Sequence, residues 1–267
     1  MFTGFSRGTI DFLTDIRFNN NNAFFEANRE RYETLVKAPL RALCEEVAPV
    51  VQVIDPRLDT RPGRTMSRIR RDTRFTKDKS PFRDHVWCSW RYPNESRSEG
   101  FSMYWGFGPD WYNWGCGLYG PDKPIMDALR LHIRREPDEV RALLNAPQIR
   151  GRYALYGEDY SRIVVPEDVP DDLRALYVKR YFGLENTRET IDWNELFSRA
   201  AADRLARELA AMAPLHQFMQ RIRKQAEYAQ HEAVREREAQ ELAKAQQAEA
   251  KKRAAGVTAR SADEFEF

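Results

Sequence analysis

The stretch Arg64–Asp84, RTMSRIRRDTRFTKDKSPFRD, holds the residues whose types and spacing best suit chemistry. Arg64, Arg68, Arg70, Arg71, Arg74, Lys77, Lys79 and Arg83 stand there against only Asp72, Asp78 and Asp84. So many cations in a short segment need partners, either their own carboxylates or an anion from outside. On a strand Asp72 and Arg74 share a face, while the adjacent Arg71 and Asp72 point apart. Lys77-Asp78-Lys79-Ser80-Pro81 reads as a turn in which Asp78 folds back onto backbone amides. Asp72, Asp78 and Asp84 carry the right atoms for a metal, but no His or Glu cluster of firm spacing joins them, so no metal site is assigned.

Three functions fit this segment. In the first, Arg68, Arg71, Arg74, Lys77 and Lys79 donate to an anionic ligand at a site that also includes Asp72 and Asp78, with Phe75 or a nearby Trp as an apolar wall. The ligand is then a phosphorylated small molecule or a nucleic-acid backbone. In the second, Arg71, Arg74, Asp72 and Asp78 form a buried ion-pair network in a non-catalytic structural or interaction protein. The third is a hydrolase or transferase acting on a phosphorylated substrate, with Asp72 or His85 as general base and the cations stabilising developing charge. His85 follows Asp84 directly, and neighbours on a strand point to opposite faces, so the pair adds little to this reading. Anion binding is the preferred one. No cofactor is implied.

The elements that must position the segment can be read from periodicity. Residues 6–17 repeat Ile10, Leu13 and Ile16 at helical spacing. After the polar break Asn19–Asn22, where an Asn can cap, a second helix starts near Ala23. Pro39 opens a third that carries Leu40, Leu43, Val47 and Val50. Arg64–Phe75 reads as extended. His85–Tyr92, Gly100–Phe107 and Trp111–Tyr119 read as strands of an antiparallel meander, with turns at Pro93-Asn94 and Gly108-Pro109-Asp110. Helices return at 122–134 and 137–144. The region 146–170 is irregular, with a strand at 152–156 or 162–165, and helices follow at 171–178 and 194–212. The fold class is α+β: a mainly antiparallel sheet covered by N-terminal and C-terminal helices. Residues 1–222 form one domain. Residues 223–267 form a charged tail rich in helix formers, helical to disordered, with no heptad repeat of Leu or Ile.

Composition narrows the classes. The 267 residues carry a net charge of +2, too near neutral for a protein coated in basic surface, while a local patch stays open. Cys44, Cys88 and Cys116 are too scattered for a disulfide framework and read as buried thiols. The absence of a signal peptide and of a long apolar run leaves no membrane partner and a cytoplasmic location as the default. Gly115-Cys116-Gly117-Leu118-Tyr119-Gly120 matches GxGxxG by letter, but it sits in an aromatic strand rather than a βαβ unit. Close packing of another group against Gly115 and Gly117 is the better account. The tryptophans of this region divide between the two faces of the sheet, Trp87 opposite Trp90 and Trp111 opposite Trp114.

Arg71-Asp72-x-Arg74-Phe75-x-Lys77-Asp78-Lys79-Ser80-Pro81-Phe82 closely resembles the signature RD-x-RF-x-KDKSPY. That signature belongs to a mostly bacterial family of conserved hypothetical proteins, a domain of unknown function. Phe5, Phe12-Leu13, Asn21-Asn22, Phe24-Phe25, Asn28, Tyr32 and Pro39-Leu40 extend the likeness toward the amino terminus. Gly100-Phe101, Gly115-x-Gly117-Leu118-Tyr119, Pro121, Pro214-Leu215 and Phe218 extend it downstream, so that it spans about residues 2–222. Phe82 stands where Tyr is usual and Tyr104 where a strand His is expected, and residues 150–190 depart from the pattern. The resemblance implies a compact α+β domain and no particular activity.

Overall fold

The computed structural model describes residues 1–74, 76–95, 100–186 and 191–263, with side chains described up to residue 248. It resolves into two units, Met1–Ile222 and Arg223–Phe267. In the first, helices and strands alternate by region, as the periodicity predicts. Helix α1 (Arg7–Phe18) buries Ile10, Phe12, Leu13 and Ile16. Helix α2 (Asn22–Ala27) is capped by Asn21, whose side chain accepts from the Phe24 amide at 2.9 Å.

The second predicted helix is not continuous. Asn28 donates its side-chain amide to the Phe24 carbonyl and ends α2 after six residues. A single turn, α3 (Arg29–Arg31), and a π-helical stretch, Tyr32–Lys37, then lead straight into α4 (Ala38–Ile54). Pro39 therefore lies inside a continuous helical run, just after the π-helical stretch, where its missing N–H removes one backbone bond. Leu40, Leu43, Cys44, Val47 and Val51 form the buried stripe. A one-turn helix, α5 (Pro62–Thr65), takes the place of the predicted extended start at Arg64.

The sheet has five antiparallel strands in the order β1-β2-β3-β5-β4. Strands β1 (Val86–Trp90), β2 (Phe101–Phe107) and β3 (Tyr112–Leu118) are the predicted meander. β4 (Tyr153–Tyr156) settles the two options for a fourth, and 162–165 is irregular. β5 (Gly183–Asn186) is a short strand that periodicity did not reveal, since Gly-Leu-Glu-Asn has neither alternation nor β-branching. Val86, Cys88, Trp90, Met103, Trp105, Trp114 and Cys116 lie on the buried face. Trp87, Ser89, Tyr104, Asn113 and Glu185 lie on the half-exposed one. The tryptophans divide as expected, with Trp90 and Trp114 buried and Trp87 and Trp111 partly exposed.

Helix α4 meets the sheet directly, with the Cys44 and Cys88 sulfurs 2.8 Å apart as free, buried thiols; Cys116 is also free and buried. Phe5, ahead of α1, stacks on Trp105 at 5.9 Å and meets Phe107 edge-on at 4.7 Å. Helices α6 (Lys123–Arg135) and α7 (Pro137–Leu144) follow the meander. A 3-10 turn, Asp171–Leu173, continues as α8 (Arg174–Tyr177). The last predicted helix is split into α9 (Trp193–Leu196) and the long α10 (Ala200–Asp263). Phe197, Ser198 and Arg199 separate them, where the Ser198 hydroxyl donates to the Glu195 carbonyl. In the Met1–Ile222 unit, α10 buries Leu205, Leu209, Met212 and Phe218. In the second unit, residues 227–248 are exposed throughout.

Glycine at 115 has a specific cause. A Cβ there would lie 2.2 Å from the Leu184 carbonyl oxygen and 2.7 Å from the Tyr104 hydroxyl. The GxGxxG letters thus mark close strand packing, with no room between β3 and β5 for a side chain.

Candidate functional site

The charged segment starts beside the edge of the sheet and then leaves it. Met66 bridges Cys88, and the Ser67 amide donates to the Trp87 carbonyl at 2.8 Å. Beyond that, Arg70 bridges Phe82, with the Arg71 amide on the Pro81 carbonyl at 2.9 Å and the Arg83 amide on the Ile69 carbonyl at 2.8 Å. Residues 71–74 and 76–81 therefore belong to a loop closed at its base beside the sheet edge, rather than the strand expected through Phe75. Phe75 itself lies outside the described residues.

The base of the loop is anchored by an apolar plug and one asparagine. The Phe82 ring is fully buried and stacks on Phe25 at 4.3 Å. Asn20 reads the Phe82 backbone from both sides, accepting from its amide and donating to its carbonyl, each at 2.9 Å. A ring without a hydroxyl fills this place completely, which accounts for Phe82 where the signature has Tyr. Tyr104, the other departure, spends its hydroxyl on Glu185 at 3.0 Å on the half-exposed sheet face.

Within the loop the charges are paired locally. Asp72 takes the Arg74 backbone amide at 3.2 Å and its guanidinium at 3.0 and 2.8 Å. That contact, with the Arg74 amide behind it, holds the Asp72 carboxyl down at about 2. Asp78 accepts from the Ser80 hydroxyl at 2.6 Å and amide at 2.9 Å, the backbone-directed turn read from sequence, and pairs with Arg71 at 2.6 Å. Lys79 donates to the Thr73 carbonyl at 2.7 Å and ties the two arms of the loop together. Arg68 and Lys77 are exposed and make no ion pair among the described residues.

These pairs are exposed, which corrects the expectation of a buried network. The Asp72 and Asp78 side chains are 51% and 53% exposed, so their pairs contribute little to the fold.

Two guanidiniums remain short of partners. The Nε–H of Arg71 is buried and has no acceptor among the described residues. Arg83 has no carboxylate in ion-pair reach among the described residues. It donates to the carbonyls of Arg68 at 2.9 Å and Arg70 at 2.5 Å, and lies over the Trp87 indole at 4.9 Å. Burial, and then repulsion from Arg71, hold Arg83 below the usual guanidinium range.

The third carboxylate of the segment leaves the loop. Asp84 accepts from Arg17 of α1 at 2.5 Å and meets His85 Nδ1 at 2.8 Å. The expectation that Asp84 and His85 point apart fails because β1 begins only at Val86, so neither residue is in the strand. Arg17 is clamped on its other side by Asp110, in the β2–β3 turn, at 3.0 and 3.2 Å. The three aspartates thus serve three separate cations and do not converge. Among the described residues no group of His, Cys, Asp or Glu is placed to hold a metal.

Sequence reading brought Arg71, Asp72, Arg74, Asp78 and Lys79 to one loop but missed Arg17, Asn20 and Asp110, which hold its flank. Asn20 was visible as part of the Asn19–Asn22 run, whose second member pairs with Phe82 while its third caps α2. Arg17 and Asp110 carry no local signal, being 93 residues apart.

An antiparallel sheet packed by helices, with an ion-rich loop at one edge, defines an α+β protein. The chain belongs to the DUF2461 family of conserved hypothetical proteins, whose model matches residues 8–218. Comparison with curated proteins finds no match.

Proposed function

We propose that the Arg68–Arg83 loop binds an anionic ligand, a phosphate group carried on a small molecule. The observation that carries this reading is the Arg71–Arg83 pair. One guanidinium keeps a buried Nε–H without an acceptor among the described residues, and the other is disfavoured by burial and by its neighbour. A buried donor left unsatisfied costs about 1–3 kcal/mol, and a ligand oxygen would remove that cost while screening the repulsion. Arg68 and Lys77, exposed at the loop, add charge without competing carboxylates. Asp72 and Asp78 then orient Arg74 and Arg71 rather than neutralise the site. Phe75 and Phe82 are the aromatic residues within the loop, and Trp87 follows it in sequence.

A small ligand suits the geometry better than a nucleic-acid backbone, because carboxylates alternate with the cations and the net charge is only +2. The purified chain should be titrated calorimetrically with inorganic phosphate, pyrophosphate and a short oligonucleotide, beside Arg71→Ala and Arg7→Ala. Heat of binding for phosphate or pyrophosphate, lost in Arg71→Ala and kept in Arg7→Ala, supports the reading. Binding of the oligonucleotide alone would shift the ligand to nucleic acid. No binding by any of the three would refute it.

A further inference from the structure

We propose that His85 is the acid–base group of a phosphoester hydrolase whose anion site is the adjoining loop, an inference that rests on the reading above. His85 Nδ1 lies 2.8 Å from Asp84 Oδ1, and Asp84 Oδ2 is held by Arg17 Nε at 2.5 Å. Burial pushes the Asp84 carboxyl up, but the hydrogen bonds from His85 and Arg17 outweigh it and hold Asp84 below the ordinary range. An ionised Asp84 accepts, so Nδ1 carries the proton and Nε2 carries the lone pair.

The ring cannot turn freely. It stacks on Trp87 at 5.6 Å and meets Trp111 at 5.5 Å. Trp111 is itself seated on glycine, since a Cβ at Gly108 would lie 2.6 Å from its Nε1. The His85 side chain is 28% exposed, and Nε2 has no partner among the described residues.

No other histidine of the chain has this arrangement. His132 spends Nε2 on Glu139 at 2.8 Å, His216 is fully buried, and His231 lies in the exposed stretch of α10. Arg83 lies over the Trp87 indole and His85 stacks on the same indole, so Trp87 links the loop to the Asp84–His85 pair.

This geometry suits a direct displacement at phosphorus. A water proton passes to His85 Nε2 as the water oxygen bonds to phosphorus. The bond from phosphorus to the leaving oxygen breaks with its electron pair on that oxygen, which is protonated by solvent water, and Nε2 returns its proton to solvent. Arg71 and Arg83 neutralise charge on the non-bridging oxygens. Asp84 is a positioning residue, and Arg17 with Asp110 fixes it in turn.

The test uses the full chain with p-nitrophenyl phosphate and bis(p-nitrophenyl) phosphate, reading nitrophenolate release, and inorganic phosphate binding by calorimetry. Wild type is expected to turn over at least one ester. His85→Asn should lose about 100-fold or more of that rate and keep its phosphate affinity. Asp84→Asn should lose less, with the loss in kcat rather than KM and phosphate affinity unchanged.

Labelling with diethyl pyrocarbonate supplies a readout that needs no variant. His85 should be modified faster than His132 and be protected by phosphate. Phosphate binding without turnover of either ester, His85→Asn at the wild-type rate, or His85 as unreactive as His216 would overturn this inference and leave the anion site standing. Absence of phosphate binding would overturn both.

Discussion

The same three-residue clamp occurs in two regions of this molecule with opposite exposure. Asp55-Pro56-Arg57 and Asp59-Thr60-Arg61 lie between α4 and α5, and Asp72-Thr73-Arg74 lies in the charged loop. In each, one aspartate oxygen takes the backbone amide and Nε of the arginine two residues on, and the other oxygen takes a terminal nitrogen. At Asp55 and Asp59 the carboxylates are 7% and 6% exposed, and at Asp72 51%. Asp55 also accepts from Tyr92 at 2.7 Å, and the Asp59 amide donates to the Arg91 carbonyl at 2.9 Å, so both turns seat the chain against the end of β1. Asp72 makes no such link to the core. An ion-pair motif is therefore structural where its carboxylate is buried, and its recurrence at an exposed loop needs a different cause.

Variants at the three aspartates sharpen that contrast. Asp55→Asn is expected to have the largest effect, about 3 kcal/mol lost in denaturant unfolding, because it weakens bonds from Arg57 and Tyr92 at a buried carboxylate. Asp59→Asn should cost about 1–2 kcal/mol in the same measurement, having fewer buried partners. A loss at Asp59 as small as that at Asp72 would break the comparison.

Acid titration of stability reads the same contrast. Arg57 and Tyr92 outweigh the effect of burial at Asp55, and the Arg61 contact does so at Asp59, so both folded carboxyls titrate below the ordinary range. Their stabilisation is full above about pH 4 and is lost as pH falls toward the depressed values. Asp55→Asn should flatten that part of the curve.

His216 adds a separate, smaller step. Burial lowers its pKa although Asp55, 3.5 Å away, works against this. The unfolded chain takes up the proton first, so stability should fall as pH drops below about 6.5, and His216→Gln should remove that slope. The smallest effect is expected at Asp72→Asn, with no measurable change in stability in moderate salt and weaker phosphate binding as Arg74 loses its orientation.

Much of this was legible in the sequence, for reasons that differ by element. Helix α1 and the three meander strands have strong periodicity and clear turns. The Asp78 turn follows from side-chain chemistry that acts over two residues. What escaped depends on distance or context. β5 forms only because β3 and β4 supply its hydrogen bonds. Asp84 and His85 meet because β1 starts one residue after them, a boundary that periodicity does not fix. The Arg17–Asp110 clamp joins groups that share no local pattern. The exposure of Asp72 relative to Asp59 cannot be read from identical tripeptides, since burial is set by what packs around them.

The measurement that bears most directly on the role of the loop is a pair of melting curves, for wild type and Arg71→Ala, with and without inorganic phosphate. Without phosphate the two should melt together, within the few degrees that about 1 kcal/mol would produce. Phosphate at 100 times its dissociation constant should then stabilise wild type by about 2.7 kcal/mol and leave Arg71→Ala unmoved. A variant that melts as early as Asp55→Asn, in a wild type that phosphate does not stabilise, would return the loop charges to the scaffold and contradict this account.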